Sequence, residues 1–157
     1  MRTTRNDLAP TTRTTVIAAL APALATAIDL ALAAKQAHWN VRGRQFAPLH
    51  ALFDQVAGEA GAWADDLAER IVQLGGVADG TLAAVAARTA LAPYPAAATA
   101  GDDHVAAIAD RLAGFGAQTR AAIATTGEAG DAVTSDLFTE LTAGADKQLW
   151  MVEAHLS

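Results

Sequence analysis

The sequence predicts an all-α protein that forms a single domain. Alanine, the residue with the highest intrinsic helix propensity, supplies 42 of the 157 residues, whereas aromatic residues make up only 5%. Runs of β-branched residues that alternate with a period of two, which would indicate strands, are absent from the sequence. The length is typical of one domain and is sufficient for a hydrophobic core without disulfide bonds.

Composition excludes several classes of site. The chain has no cysteine, which excludes a disulfide framework, a thiolate metal site and a cysteine nucleophile. The formal net charge of −6 argues against a surface adapted as a whole to nucleic acid, and leaves room only for a local basic patch or tail. The apolar stretch 16–34 has the length of a membrane span, but its alanine content and the interruptions at Pro22, Thr26 and Asp29 favour a helix of a soluble protein. We therefore expect a cytoplasmic protein with no membrane association.

Apolar periodicity divides the first half of the chain into two helices. Residues 1–12 are polar and are predicted to form a mobile tail ahead of a helical domain over 13–157. The first helix is predicted over 12–40, and Pro22 inside it predicts a kink or a later start. One apolar face is predicted to carry Val16, Leu20, Leu24, Ile28 and Leu32, and because Ile17 and Leu30 lie off it, more than one face of the helix is apolar. The second helix begins near Phe46, has Pro48 in its first turn, and ends where Gly75-Gly76 follows Leu74.

The second half of the chain contains two further long helices. Residues 77–100 form a long connection, which is predicted to hold a short helix at 81–87. The third long helix is predicted over 102–125, and the fourth runs from the end of a turn at 126–131 to the C-terminus. Four long helices with one long middle crossover predict a ferritin-type four-helix bundle, because a simple up-down-up-down bundle needs only short loops.

Four candidate metal ligands share one face of the second helix. On a helical wheel of 100° per residue, His50, Asp54, Asp65 and Glu69 fall at about 0°, 40°, 60° and 100°. This face points away from the stripe that we expect to be buried, namely Leu49, Phe53, Val56, Ala60, Trp63, Leu67, Ile71 and Leu74. The two i,i+4 pairs lie about 22 Å apart along the helix, so one chain cannot bring both pairs to one ion.

An antiparallel copy of the same helix would solve this problem. A twofold axis near residues 59–60 would set each pair opposite the other pair of the partner and create two equal sites per dimer. Gly58 and Gly61 lie between the pairs on the same face, and glycine in a helix costs about 1 kcal/mol relative to alanine, which indicates close approach of a partner helix. The alternative is a solvated acidic face with incidental glycines.

The donor set indicates the metal. Imidazole and carboxylate ligands without thiolate suit iron, manganese or zinc, and two histidines with a carboxylate suit an iron(II) that reacts with an oxidant. His38, near the end of the first helix, is the candidate for the second imidazole. The alternative is that His38 only caps that helix.

The residues around this site resemble the signature of the Dps family. The resemblance covers the chain from about residue 12 to the C-terminus. It is carried by Lys35-Gln36-Ala37-His38-Trp39-Asn40-Val41-Arg42-Gly43, Phe46, Leu49-His50, Asp54, Asp65, Ala68-Glu69-Arg70, Gln73-Leu74-Gly75-Gly76-Val77, Asp146-Lys147 and Leu149-Trp150. Dps proteins are ferritin-like mini-ferritins that assemble as hollow dodecamers, oxidise iron(II) preferentially with hydrogen peroxide, and store the ferric mineral. Many of them also bind DNA non-specifically.

The resemblance implies the division of the site between subunits. His38, His50 and Asp54 match ligands from one subunit, and Asp65 and Glu69 match ligands from its twofold partner, with two irons (Fe²⁺/Fe³⁺) per interface site and zinc or manganese as competitors. Trp39 matches a tryptophan beside the site, or is a packed aromatic at a helix end. Trp150 is either core or a near-site electron donor.

The resemblance also suggests acidic residues for mineral nucleation and for entry pores. The nucleation candidates are Glu59 and Asp66, for which the alternative is ion pairing with Arg70 or other charges. The pore candidates are Glu128, Asp131 and Asp136, for which the alternative is an ordinary solvated turn. The assembly that the resemblance implies is a dodecamer built from twofold dimers.

DNA binding is where the chain departs from the family pattern. Family members that coat DNA often carry a lysine-rich tail, whereas here the tail offers Arg2 and Arg5, offset by Asp7. We therefore expect weak, salt-sensitive DNA binding and a cytoplasmic protein associated with the nucleoid. The predicted function is a ferroxidase and iron store that protects DNA. The alternatives are a DNA-compacting structural protein with minor iron activity, and a plain monomeric helical scaffold.

Overall fold

The computed structural model describes residues 1–156, and within them it contains five helices and no strand. The helices are α1 (Pro10–Asn40), α2 (Phe46–Gln73), α3 (Leu82–Arg88), α4 (Gly101–Glu128) and α5 (Ala132–Glu153). The long helices form a four-helix bundle in which α1 packs along α2 and α4 packs along α5, and α1 also contacts α3 and α4. This arrangement confirms the predicted all-α bundle with a short helix in its middle connection.

The core is built where aromatic side chains from different helices meet. Trp63 of α2 stacks on Phe115 of α4, with ring centroids 5.3 Å apart. Gly144 of α5 leaves room for this pair, because a Cβ there would lie 3.0 Å from Cζ2 of Trp63. Phe53 and Phe138 are fully buried in the same core. Burying a large apolar side chain of this kind contributes about 1.5–3 kcal/mol.

Helix α1 departs from two expectations. It does not begin after Pro22 but runs through it, and the hydroxyl of Thr26 donates to the Pro22 carbonyl oxygen at 3.0 Å. Leu32, on the predicted apolar face, is 50% exposed, whereas Leu30, which lies off that face, is fully buried. Alanine explains the second difference: small apolar residues surround the helix, so the leucines alone do not mark the face that packs. Helix α1 has the length and composition of a membrane span, but half of its most apolar window is buried inside the bundle.

The predicted N-terminal tail makes specific contacts with the end of α2. The backbone N–H of Arg2 donates to the Gly75 carbonyl at 2.7 Å, and its guanidinium donates to the Val72 carbonyl at 2.8 Å. The Arg13 guanidinium donates to the Leu74 carbonyl at 3.2 Å. Carbonyl groups at a helix C-terminus have no partner within the helix and carry a partial negative charge, so both arginines are placed where a cation is favourable.

The remaining helix boundaries agree with their predictions to within about three residues at most, apart from the end of α5. Helix α3 starts after Thr81, whose side chain accepts a hydrogen bond from the Ala84 amide. Helix α5 ends at Glu153, short of the predicted C-terminal end, and Leu156 beyond it is exposed. Gly75 has a φ of +87°, a conformation that favours glycine and ends α2 where Gly75-Gly76 predicted.

Candidate metal centre

The end of α1 and the start of α2 bring two histidine side chains together. The His38 and His50 rings are stacked with centroids 3.6 Å apart and an angle of 22° between their planes. Nδ1 of His38 lies 2.7 Å from the His50 carbonyl oxygen, and Nδ1 of His50 lies 2.8 Å from the His38 carbonyl oxygen. The imidazole of His38 therefore bonds the neighbouring helix and does not cap α1.

These two hydrogen bonds fix which nitrogens are free. A carbonyl oxygen can only accept, so each Nδ1 carries a proton, and in the neutral ring each Nε2 keeps its lone pair. A histidine that ligates a metal through one nitrogen commonly donates its other N–H to a carbonyl oxygen, which sets its tautomer and orientation. The stacked pair thus presents two imidazole donors side by side.

A carboxylate lies next to this pair and is held by a lysine. Asp54, one helical turn after His50, accepts a hydrogen bond and ion pair from Nζ of Lys35 on α1. The pKa of Asp54 lies below its ordinary value, chiefly because of the Lys35 hydrogen bond, against a smaller opposing effect of desolvation; the charge of Lys35 lowers it further, as do His38 and His50 when their rings are protonated. The carboxylate is therefore ionised, which is the form that binds a metal.

Lys35 is the residue of this site to which the sequence prediction gave no role. It lies three residues before His38, and residues at i and i+3 share one face of a helix. This i,i+3 spacing is the sequence feature that could have placed Lys35 in the site, because it puts Lys35 on the same face of α1 as His38.

The second pair of candidate ligands lies at the other end of α2. Asp65 and Glu69 are exposed, on the same side of the helix as Asp54. Within residues 1–156, no three histidine, aspartate or glutamate side chains are close enough together to hold a metal ion. One chain therefore holds these candidate ligands in two separate groups, as their spacing along the helix requires.

The surface of α2 between the two groups of candidate ligands is exposed and carries small residues. Gly58 and Gly61 are exposed, and a Cβ added at either position would have no heavy atom within 4 Å. All eight residues of the stripe predicted to be buried on α2 are buried, which confirms how the helix is oriented in the bundle. Trp39 is 67% exposed and Trp150 is 68% exposed, so neither is packed inside the subunit.

One acidic pore candidate is corrected by the structure. Asp131 is only 1% exposed, and its carboxylate accepts hydrogen bonds from the Arg70 guanidinium and from the hydroxyl and amide of Thr134. Asp131 is therefore the buried N-cap of α5 and is not available to line a pore, and Arg70 pairs with it instead of with Glu59 or Asp66.

The other acidic candidates remain on the surface. In the part of the chain that the structure describes, all four are exposed and none of them forms an ion pair: Glu59, Asp66, Glu128 and Asp136. Of the two tail arginines, Arg5 is exposed, whereas the guanidinium of Arg2 is bonded to the end of α2.

Comparison with known proteins agrees with this architecture. A ferritin-like domain model matches residues 17–157. The "DNA protection during starvation protein" of Agrobacterium fabrum is 44% identical over 153 residues, which cover 98% of this chain and 94% of that protein.

Solved structures give the same result. DpsC from Streptomyces coelicolor superposes with a TM-score of 0.95 at 31% identity, covering 99% of this chain and 91% of that one. The Dps protein of Vibrio cholerae, described as a member of the ferritin-like diiron-carboxylate superfamily, superposes with a TM-score of 0.92 at 25% identity, covering 100% and 98% of the two chains. The chain belongs to the Dps family of ferritin-like proteins.

Proposed function

We propose that this protein is a ferroxidase and iron store that oxidises iron(II) with hydrogen peroxide at a site shared by two twofold-related subunits. The observation that carries the proposal is the stacked His38–His50 pair, which has both Nε2 atoms free beside the ionised Asp54. The complementary acids, Asp65 and Glu69, lie further along the same exposed face, beyond a surface of glycine and alanine that a partner helix can approach closely.

Iron(II) is the substrate, and it displaces a cation when it binds. His38 and Asp54 of one subunit, with Glu69 of the partner subunit, hold the first iron. His50 and Asp65 bind the second iron more weakly. Because Asp54 is paired with Lys35 before iron arrives, the metal must compete with the ammonium group for this carboxylate. Zinc and manganese accept the same donors and compete for the site.

The reaction uses two irons for each peroxide. Each iron(II) gives up one electron, the O–O bond of hydrogen peroxide breaks, and the two oxygens take up two protons to form two molecules of water. No hydroxyl radical is released when both electrons are available together. The iron(III) then moves to the interior wall, where hydrolysis yields the ferric oxyhydroxide mineral.

The store requires a closed assembly. Twofold dimers complete the sites, and twelve subunits enclose the cavity in which the mineral grows. The exposed carboxylates of Glu59 and Asp66 are the candidates for mineral nucleation, and those of Glu128 and Asp136 are the candidates for cation entry. We place this assembly in the cytoplasm.

Protection of DNA then follows mainly from removing iron and peroxide. The Agrobacterium relative is named for DNA protection, and direct DNA binding, as another route to such protection, is the second candidate function. Against a strong role of this kind, the chain has no lysine in its first twelve residues, and the Arg2 guanidinium is already bonded to the Val72 carbonyl. DNA binding by this protein is therefore weak and sensitive to salt.

The shared site can be tested by complementation between two inactive variants. His50→Ala damages one half of the site, and Glu69→Ala damages the other half. In a dimer that contains one subunit of each kind, one of the two sites carries both lesions and the other carries none. Half of the dimers formed at random are mixed, so about one quarter of all sites are intact, whereas particles of either variant alone contain no intact site.

The measurement is the initial rate of iron(II) oxidation by peroxide in co-expressed, doubly tagged particles. A control pair, His50→Ala with Asp54→Ala, damages the same half and should restore no activity. Iron retained per particle after gel filtration gives the storage function separately. Wild-type protein that oxidises no iron would refute the ferroxidase, and a mixed particle without recovered activity would refute the shared site.

A further inference from the structure

A tyrosine and a histidine beside the candidate metal centre have no part in the proposed reaction. His104, near the start of α4, is fully buried. Its Nδ1 lies 2.5 Å from the hydroxyl of Tyr94, which is in the connection between α3 and α4, and the two rings are stacked at a centroid distance of 6.0 Å. A buried imidazole needs an internal hydrogen-bond partner to offset its desolvation, and the hydroxyl of the half-buried Tyr94 supplies one.

The protonation states of the pair are set by its surroundings. Burial lowers the pKa of His104, and the nearby charge of Asp103 and the Asn40 carbonyl oppose this effect. Burial raises the pKa of Tyr94 to about 12, against a lowering by the charge of Arg111. At neutral pH the pair therefore consists of a protonated phenol and a neutral imidazole.

The direction of the hydrogen bond follows from the partners on the two ring nitrogens. The Tyr94 hydroxyl is the hydrogen-bond partner of Nδ1, and the Asn40 carbonyl oxygen near the ring can only accept a hydrogen bond. The ring proton is accordingly assigned to Nε2, which makes no hydrogen bond of normal geometry within residues 1–156. Nδ1 is then left to accept the phenolic proton from Tyr94.

The pair is next to both elements that carry the candidate ligands. The His104 ring packs edge-on against Phe53, with centroids 6.2 Å apart. Phe53 directly precedes Asp54, and its fully buried ring lies on the core-facing stripe of α2, so it is connected to the ligands through the backbone of the helix. On the other side, Asn40 follows His38 by two residues. A path therefore leads from Asp54 through the α2 backbone to Phe53, and from the Phe53 ring through His104 to Tyr94.

We propose that Tyr94, with His104 as its proton acceptor, is a one-electron donor that neutralises single-electron oxidants formed at the metal centre. The inference rests on the proposed iron(II) oxidation. When a site holds one iron(II) instead of two, peroxide takes only one electron from it and yields iron(III), hydroxide and a hydroxyl radical. The radical takes one electron from Tyr94 and becomes hydroxide, while the phenolic proton moves to Nδ1 of His104. The products are a neutral tyrosyl radical and an imidazolium.

Arg111 explains why the electron and the proton must leave together. Its guanidinium carbon lies 4.7 Å from the centre of the Tyr94 ring. Loss of an electron alone would create a phenol radical cation next to this charge, which is unfavourable in a partly buried site. Transfer of the proton to His104 keeps the tyrosine neutral, and the imidazolium that forms lies within the field of the Asp103 carboxylate.

A tyrosyl radical signal can be assigned directly, because Tyr94 is the only tyrosine in the sequence. Assembled protein with less than one iron(II) per site is mixed with peroxide, freeze-quenched and examined by electron paramagnetic resonance. We expect a tyrosyl signal that changes with ring-deuterated tyrosine and is lost in Tyr94→Phe. His104→Gln, which can accept a hydrogen bond but not the proton, should lose most of the signal, and an undiminished signal in this variant would overturn the proposal.

A second arm separates this inference from the proposed function. In iron-free protein, a photogenerated ruthenium(III) complex supplies the one-electron oxidant from solution. Here Phe53→Leu should leave the tyrosyl yield unchanged, whereas in the iron arm the same variant should lower it. If iron is not oxidised at all, the proposed function fails, and the photochemical arm still tests the Tyr94–His104 pair. If iron is oxidised without a tyrosyl signal while the photochemical arm gives one, the connection to the metal centre is refuted.

Discussion

The buried ion pair between Arg70 and Asp131 decides whether Asp131 supports the fold or conducts cations. The Arg70 side chain is 12% exposed, and its Nη2 donates to both oxygens of Asp131 at 2.9 Å. Nε of Arg70 donates to the Thr134 hydroxyl, which in turn donates to Asp131. This network joins α2 to the N-terminus of α5. We therefore expect Asp131→Ala to destabilise the protein strongly, whereas a pore residue could be replaced without such a loss.

The magnitude follows from what the substitution leaves behind. Removing one partner of a buried ion pair costs about 3–5 kcal/mol, because the remaining charge is buried and unpaired. Loss of the N-cap alone costs about 1 kcal/mol, and the two effects overlap because they share one carboxylate. For a chain of this size the melting midpoint should fall by about 6–20 °C. Asp131→Asn keeps an oxygen that can accept a hydrogen bond from the Thr134 amide, but its NH₂ group cannot accept from Arg70. We expect this variant to lose less stability than Asp131→Ala.

Acid should weaken the contribution of the pair. Burial raises the pKa of Asp131, but the hydrogen bonds from Thr134 and the bond and charge of Arg70 outweigh this effect, so its pKa lies below the ordinary 3.8. A lowered pKa in the folded state means that the unfolded state binds more protons, and the stabilisation is lost as the pH falls. The stability difference between wild type and Asp131→Asn should be constant above about pH 5 and shrink below about pH 4.

The assay is thermal and denaturant unfolding at one fixed protein concentration, because oligomer formation makes the midpoint depend on concentration. Asp136→Asn is the matched control, since this acid is exposed on the same helix, and it should move the midpoint by no more than about 2 °C. The reasoning is refuted if Asp131→Ala unfolds at the wild-type midpoint and instead slows iron uptake.

Three further substitutions test the interface, the metal site and the tail. Lys35→Met removes the cation that competes for Asp54, so anaerobic calorimetry should show tighter iron(II) binding; weaker binding would mean that Lys35 is needed to position the carboxylate. Gly61→Leu should break up the particle in sedimentation velocity, whereas Ala117→Leu, exposed on α4, should not. Arg2→Ala should barely change DNA retardation in gels at low salt, because Arg2 is already bonded to α2, and a large loss would show that the tail detaches on DNA.

Helix α2 was predictable from sequence because its residues differ sharply around the helix. Large apolar side chains fill one face, and acids and glycines fill another, so a simple wheel orients it correctly. Helix α1 lacks this contrast. Alanines surround it, and a leucine such as Leu30 or Leu32 gives no sign of which side faces the bundle. Proline also did not prevent the helix from running through Pro22, since packing against the rest of the bundle outweighs the cost of one missing backbone hydrogen bond.

Side-chain partnerships were the least predictable part of the site. The i,i+4 spacing identified Asp54 as a candidate ligand, but nothing in that spacing shows that Lys35 reaches it from another helix. The same holds for Asp131, which was predicted to line an entry pore or to lie in a solvated turn. Its actual partner, Arg70, is 61 residues away, and that contact exists only after α2 and α5 have packed.

The placement of Lys35 fits the electrostatics of a site assembled from two chains. In the proposed dimer, each site gathers the carboxylates of Asp54, Asp65 and Glu69 around two imidazoles that are held with one free nitrogen each. Three like charges in close proximity oppose association until a cation arrives. Lys35 supplies one positive charge in the metal-free state, on a long side chain that can withdraw into solvent when iron(II) binds. The lysine thus lowers the repulsion that assembly must overcome, and it does so at the expense of iron affinity, which is why its removal should strengthen metal binding.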